Sequence, residues 1–194
     1  MAFEFIPSPI AGLYEVRPTV YGDSRGYFFE NYNQKDFHKA GLCMQFVQDN
    51  QSSSRKGVLR GLHFQKRHPQ GKLVQVISGR VYDVAVDLRK GSPTFGHYYG
   101  IVLDDETHNE FYIPEGFAHG FSVLSDNAVF SYKCTDFYHP EDEAGIMWND
   151  PTIHIDWTQY LFQSAPVLSE KDKAHSLFDA DAAYFDIHGT WIGR

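Results

Sequence analysis

The chain has 194 residues, enough for one domain with a substantial core and cramped for two, so residues 1–194 are expected to form a single unit. Its formal net charge of −8 lacks the basic excess of a general nucleic-acid or membrane-surface binder, although a few Arg and Lys can still converge on a small anion. Phe, Tyr and Trp make up 16% of the residues and glycine occurs 16 times, which favours strands over helices.

The N-terminal run Met1-Ala2-Phe3-Glu4-Phe5-Ile6-Pro7 has no basic segment ahead of a long apolar stretch, so it does not read as a secretory signal. No apolar run approaches the roughly 18 residues of a membrane helix. Cys43 and Cys134 are far apart, outside any C-x-x-C spacing, and read as reduced thiols. A cytoplasmic protein is expected.

Turn-forming residues recur at short intervals along the chain. They are Gly22-Asp23 with Gly26, Ser78-Gly79, Lys90 to Pro93, Asp104-Asp105, Pro114-Glu115-Gly116 and Ser125-Asp126-Asn127. Between the first two, Asn33 to Ala40, stopped by Gly41, predicts two helical turns. The clearest strand is Val81 to Leu88, with Tyr82, Val84, Val86 and Leu88 on one face and Val81, Asp83, Ala85 and Asp87 on the other. Many short strands at this spacing predict an all-β sandwich or barrel. Ser169 to Leu177 is a second helical candidate, and Tyr184 onward carries no periodic signal.

The informative polar residues fall into four clusters. In Arg60-Gly61-Leu62-His63-Phe64-Gln65, the histidine-X-histidine spacing of a metal-binding strand is kept but the second histidine is a glutamine. A lone imidazole near an anion-binding guanidinium suits proton transfer on a phosphorylated substrate. Gln48, Asp49 and Asn50 precede it with groups suited to a base edge. Asp23 to Glu30, taken alone, reads first as a hairpin turn with Arg25 and Glu30 as solvated charges. Lys72, opening an apolar strand, is either an edge charge that blocks aggregation or an ammonium aimed at an enolate oxygen or a phosphate. In Pro114 to His119, the Pro-x-Gly-x-x-His spacing matches the second half of the cupin signature, whose histidine binds metal. With Gln65 in the first half the ligand set is incomplete, so His119 reads as a ligand-contacting group.

Taken together, these clusters resemble the dTDP-4-dehydrorhamnose 3,5-epimerase family, on six ordered blocks spanning about residues 8 to 180. The blocks are DSRGYFFENYNQ (23–34), FVQDNQSSSRKGVLRGLHFQ (46–65), QGKLVQVISGRVYDVAVDLRKGSPTFG (70–96), FYIPEGFAHGFSVLS (111–125), FSYKCTDFYHPEDEAGIMWNDP (130–151) and LSEKD (168–172). Thr158 departs from the family, where many relatives have proline.

The resemblance implies a cupin-type antiparallel β-barrel (jelly roll) with short peripheral helices, a homodimer, and a cofactor-independent, metal-free epimerase acting on dTDP-4-dehydro-6-deoxy-D-glucose. By that likeness His63 is the general base, Asp172 its orienting carboxylate, Tyr132 the proton donor and Lys72 the group near the 4-keto oxygen. Arg25, Glu30, Gln48, Asp49, Asn50, Arg60, His119, Glu143 and Lys171 match positions that contact the nucleotide sugar. Read without the family, Ser169-x-x-Asp172 is a capping box and Lys171 a plain helix lysine.

Three rivals are distinguishable. A C3-only epimerase would share the base, and Tyr132 favours the double inversion over it. A metal-dependent cupin enzyme is opposed by Gln65 and Val123, which stand where that signature has histidine and asparagine. A binding module without catalysis would not need the base, acid and lysine together.

Overall fold

Alternating apolar residues and closely spaced turns produce two facing antiparallel sheets, seen here in a computed structural model that describes residues 2–157 and 165–193; Thr158 lies outside them. In spatial order, one sheet contains β1 (Phe3–Pro7), β2 (Tyr14–Pro18), β10 (Glu110–Ile113), β7 (Lys72–Ser78), β12 (Asn127–Cys134) and β5 (Gln48–Arg55). The other contains β13 (Glu143–Gly145), β6 (Leu59–Gln65), β11 (Phe117–Val123), β8 (Arg80–Asp87) and β9 (Tyr98–Asp104). A separate hairpin joins β3 (Tyr21–Asp23) to β4 (Gly26–Phe28). Strands adjacent in sequence often lie in opposite sheets, which is the jelly-roll form of a cupin-type barrel.

The expected turns fall between strands. Ser78-Gly79 carries the chain from one sheet to the other, and Gly79 takes φ +89 where a Cβ would sit 2.2 Å from the Asn127 carbonyl oxygen. Glycine is the residue that fits there. One core fills the space between the sheets, with Val74, Val76, Phe111 and Phe130 meeting Val81, Ala85, Leu103 and Phe121. A second covers the outer face of the β6–β11–β8 sheet, where Tyr82, Val84 and Val86 pack beneath Ile153, Trp157, Phe178 and Phe185. Both predicted faces of β8 are therefore buried. The C-terminal segment, which has no periodic signal, supplies fully buried Phe185, 5.7 Å from the Phe64 ring and 5.4 Å from Trp191.

The first expected helix is present as α1 (Gln34–Lys39). The Asn33 side chain caps it by accepting from the Lys35 N–H at 3.1 Å, and fully buried Phe37 anchors it. The second is shorter than expected. Only Asp172–Ala174 forms a turn of 3-10 helix, and His175 is already extended because Ser176 pairs with Ile146 and accepts from the Met147 N–H. That lateral bond to the sheet competes with helix propagation. Among the described residues no helix is long and apolar enough to cross a membrane. Cys43 is exposed and Cys134 buried, both unpaired.

Candidate active site

A close approach of two strands sets the centre of the site. Gly61 on β6 has φ +121, and a Cβ there would lie 2.5 Å from Gly120 Cα on β11. The ladder shifts register between His119 and Phe121 at this point, and His63 pairs directly with His119. Both imidazoles belong to the same sheet.

His63 Nε2 lies 2.5 Å from Asp172 Oδ1, bridging 109 residues of sequence. Ser169 Oγ donates to Asp172 Oδ2 at 2.7 Å and accepts from the Asp172 N–H at 3.1 Å. Half of the expected capping box therefore forms, while the carboxylate turns to the histidine. Burial opposes ionisation of Asp172, but hydrogen bonds from His63 and Ser169, the nearby His63 charge and the Gly61 N–H outweigh it and hold the pKa at about 2.

This has a consequence for acid stability. The unfolded carboxyl takes up its proton near 3.8 and the folded one near 2, so the contribution is fully present above the first value and is lost as pH falls toward the second. Its size is on the order of 2 kcal/mol. In denaturant titrations, the gap between wild type and Asp172→Asn should be widest near neutrality and close by about pH 2. A gap independent of pH would refute the assignment.

The facing sheet supplies Lys72 on β7 and Tyr132 on β12, with the ammonium nitrogen 5.9 Å from the centre of the tyrosine ring. β7 is a central strand, so the edge-charge reading of Lys72 does not hold. Burial lowers the Lys72 pKa, opposed by Cys134, Asp83 and Glu143. Burial raises that of Tyr132, reinforced by Cys134 and Glu143 and countered by Arg60. His119 bonds to both carboxylate oxygens of Asp83, at 3.0 and 2.9 Å, deep in the interior. Burial disfavours charge on both, lowering His119 and raising Asp83.

The remaining candidates divide by strand geometry. Gln48 and Asn50, alternate residues of β5, bond each other at 3.1 Å, and Asn50 also reaches the Cys134 sulfur at 3.5 Å. Arg60 is exposed, held by Ser54 Oγ at 3.0 Å, and has no ion-pair partner among the described residues. Glu143 on β13 is paired with Lys171 and accepts from the Tyr138 hydroxyl at 2.5 Å. Burial resists its ionisation, yet Lys171, Tyr138 and His63 together lower its pKa.

Three candidates are not brought to this cluster within the chain. Asp49 lies between Gln48 and Asn50 on a strand, so its side chain points to the opposite face, where it pairs with Lys133 at 3.1 Å. Arg25 pairs with Asp23 on the exposed β3–β4 hairpin, its side chain 87% exposed, and Glu30 accepts from Asn33 at 3.3 Å.

Sequence reasoning gives no site role to Asp83, Tyr138 or His175. Asp83 did carry a signal: an acidic residue inside an apolar strand needs a buried partner. Gln65, by contrast, is accounted for. Its amide donates to the His68 and Phe137 carbonyls at 2.6 and 3.0 Å and accepts from the His139 N–H at 2.6 Å. The residue in the place of a second metal-binding histidine thus pins the 137–139 segment to β6.

The architecture is that of a cupin-type barrel enzyme with its polar groups between the two sheets. The profile of the dTDP-4-dehydrorhamnose 3,5-epimerase family matches residues 7–180. A Pseudomonas aeruginosa protein named dTDP-4-dehydrorhamnose 3,5-epimerase is 57% identical over 166 residues, covering 84% of this chain and 90% of its own length. A Methanothermobacter thermautotrophicus protein of the same name is 54% identical over 171 residues, covering 88% and 92%. A Legionella pneumophila dTDP-6-deoxy-D-glucose-3,5-epimerase, crystallised with dTDP-4-keto-L-rhamnose, superposes with a TM-score of 0.86 at 50% identity, covering 90% of this chain and 92% of that one. The class is therefore an isomerase. The chain belongs to the dTDP-4-dehydrorhamnose 3,5-epimerase family.

Proposed function

We propose that this protein, as one catalytic domain, epimerises dTDP-4-dehydro-6-deoxy-D-glucose at C3 and C5 to give dTDP-4-dehydro-L-rhamnose. The observation that carries the reading is a division of labour between sheets: His63 on one, bonded to Asp172 from the 3-10 turn beside it, and Tyr132 and Lys72 on the other. Protons at C3 and C5 are acidic because each carbon adjoins the C4 ketone. His63 removes one, charge flows to the C4 oxygen, and Lys72 meets the developing oxyanion. Tyr132 returns a proton from the opposite face, inverting the carbon, and solvent then takes the proton from His63 and restores that of Tyr132 before the second carbon reacts. Burial helps the tyrosine keep that proton until the enolate requires it. Asp172 orients the imidazole and stabilises it once charged. None of these steps is a redox or group-transfer step that would need a cofactor.

Around this centre, Gln48, Asn50, His119, Glu143 and Lys171 contact the sugar nucleotide, and Arg60 binds its diphosphate. A charge-assisted contact of that kind contributes roughly 1.5–3 kcal/mol. The active form is a homodimer. Arg25 and Glu30 then serve the second copy from a hairpin whose Tyr21, Tyr27 and Phe28 are otherwise 61–67% exposed. Asp49 acts indirectly, bracing β5 through Lys133. Two unpaired cysteines agree with a cytoplasmic setting.

Proton NMR of the substrate in D2O, with and without chelator, tests the reaction. Deuterium should enter at both C3 and C5 regardless of chelator. Entry at C3 alone would make the protein a single epimerase, and loss of exchange with chelator would make it a metal-dependent one. Tyr132→Phe should depress formation of inverted product more than initial exchange at C3. Equal loss of both would remove the tyrosine from its role.

A further inference from the structure

Among the described residues, His63, Asp172 and His175 are a group in which one ligand atom from each lies within 4.8 Å of the other two. The reaction proposed above uses the first two and leaves His175 without work. Its side chain is only 9% exposed, and Nε2 is buried without a hydrogen-bond partner. That nitrogen stands 3.6 Å from Asp172 Oδ1, too far for a hydrogen bond, and the His175 ring meets His63 edge-on with centres 5.3 Å apart. A buried, unsatisfied imidazole nitrogen aimed at a carboxylate and a second imidazole is costly unless something can bind there.

The surroundings are built to hold this ring. Gly145 pairs with His63 across β13 and β6, and a Cβ at Gly145 would sit 2.5 Å from both Cε1 and Nε2 of His175. Only glycine at that position lets the imidazole lie over the strand. Asp172 is itself oriented from behind by Ser169, the kind of outer support that aligns metal-binding carboxylates.

We propose that His63, Asp172 and His175 form an inhibitory site for a divalent cation of the Zn2+ type. Two imidazoles and a carboxylate suit such borderline ions. In tetrahedral Zn2+ coordination, neighbouring ligand atoms are about 3.3 Å apart. The Asp172–His175 separation of 3.6 Å is already close to this, while His63 and Asp172, at 2.5 Å, open by under about 1 Å. The His63 side chain is 30% exposed, so a fourth position is accessible to water. The ion occupies the His63 nitrogen that bonds Asp172, breaks the dyad and blocks proton abstraction. The inhibitory part rests on His63 being the base; metal binding does not.

Calorimetry with Zn2+, the absorption spectrum with Co2+, and epimerase assays with added Zn2+ test the site on the full chain. Wild type should bind one Zn2+, show the intense visible bands of tetrahedral Co2+, and lose activity that chelator restores. His175→Ala should weaken Zn2+ binding by roughly tenfold or more and turn over substrate in the presence of Zn2+. His175→Gln repeats the test with most of the ring's volume kept, should the smaller residue unfold the segment. Absence of binding by wild type, or equal binding by wild type and both variants, would overturn the site. Binding without inhibition would overturn its regulatory role. Because calorimetry needs no turnover, an inactive enzyme that binds Zn2+ through His175 would count against the catalytic reading alone.

Discussion

His63→Ala is expected to lower both turnover and solvent exchange at C3 and C5 by about 10²–10⁴-fold, with dTDP binding largely intact. Its imidazole is the one in this sheet coupled to a carboxylate at 2.5 Å while its side chain remains 30% exposed to solvent. The neighbouring candidates cannot replace it. His119 is committed to Asp83 through both carboxylate oxygens, and His175 is sealed over Gly145. Calorimetry with dTDP separates binding from chemistry in the variant. Near wild-type exchange in His63→Ala would show that another group is the base.

Lys72→Met is the second large effect expected. Methionine approximates the length and volume of the aliphatic stem, so the barrel should stay packed while the charge is lost. An electrophilic partner of a developing oxyanion contributes about 2.7–4 kcal/mol, so kcat should fall roughly 10²–10³-fold with little change in KM. Burial works against the ammonium, and Cys134, Asp83 and Glu143 partly offset it. Such a lysine would be a wasteful way to meet a solvated phosphate but a sensible way to meet charge that appears only during reaction. A rise in KM with kcat unchanged would move Lys72 to ground-state binding.

The two predictions use groups whose chemistry was visible in the chain but whose partners were not. His63 beside Gln65 already pointed to an imidazole without a metal-binding twin, and the structure accounts for Gln65 through three hydrogen bonds to backbone groups. The Ser169–Asp172 pair had a sound local reading as a helix cap. The hydroxyl does accept from the Asp172 N–H, but the helix stops after one turn because Ser176 is tied to the sheet. Asp49 shows strand geometry acting on neighbours in sequence. Family position grouped it with Gln48 and Asn50, yet strand alternation sends the middle residue to the other face.

By itself the sequence determined the all-β class, the turns, the first helix, the Val81 to Leu88 strand and the family. Those depend on short-range rules: a two-residue period along strands, glycine where φ is positive, and polar caps where a helix begins. The tertiary structure alone decided which buried charges meet. Asp172 reaches His63 across 109 residues, Asp83 reaches His119 from the next strand, and His175 settles on Gly145 beside both members of the dyad. No local pattern encodes such pairings. They follow from the order in which strands enter two sheets, and from the cost of burying a polar group without a partner.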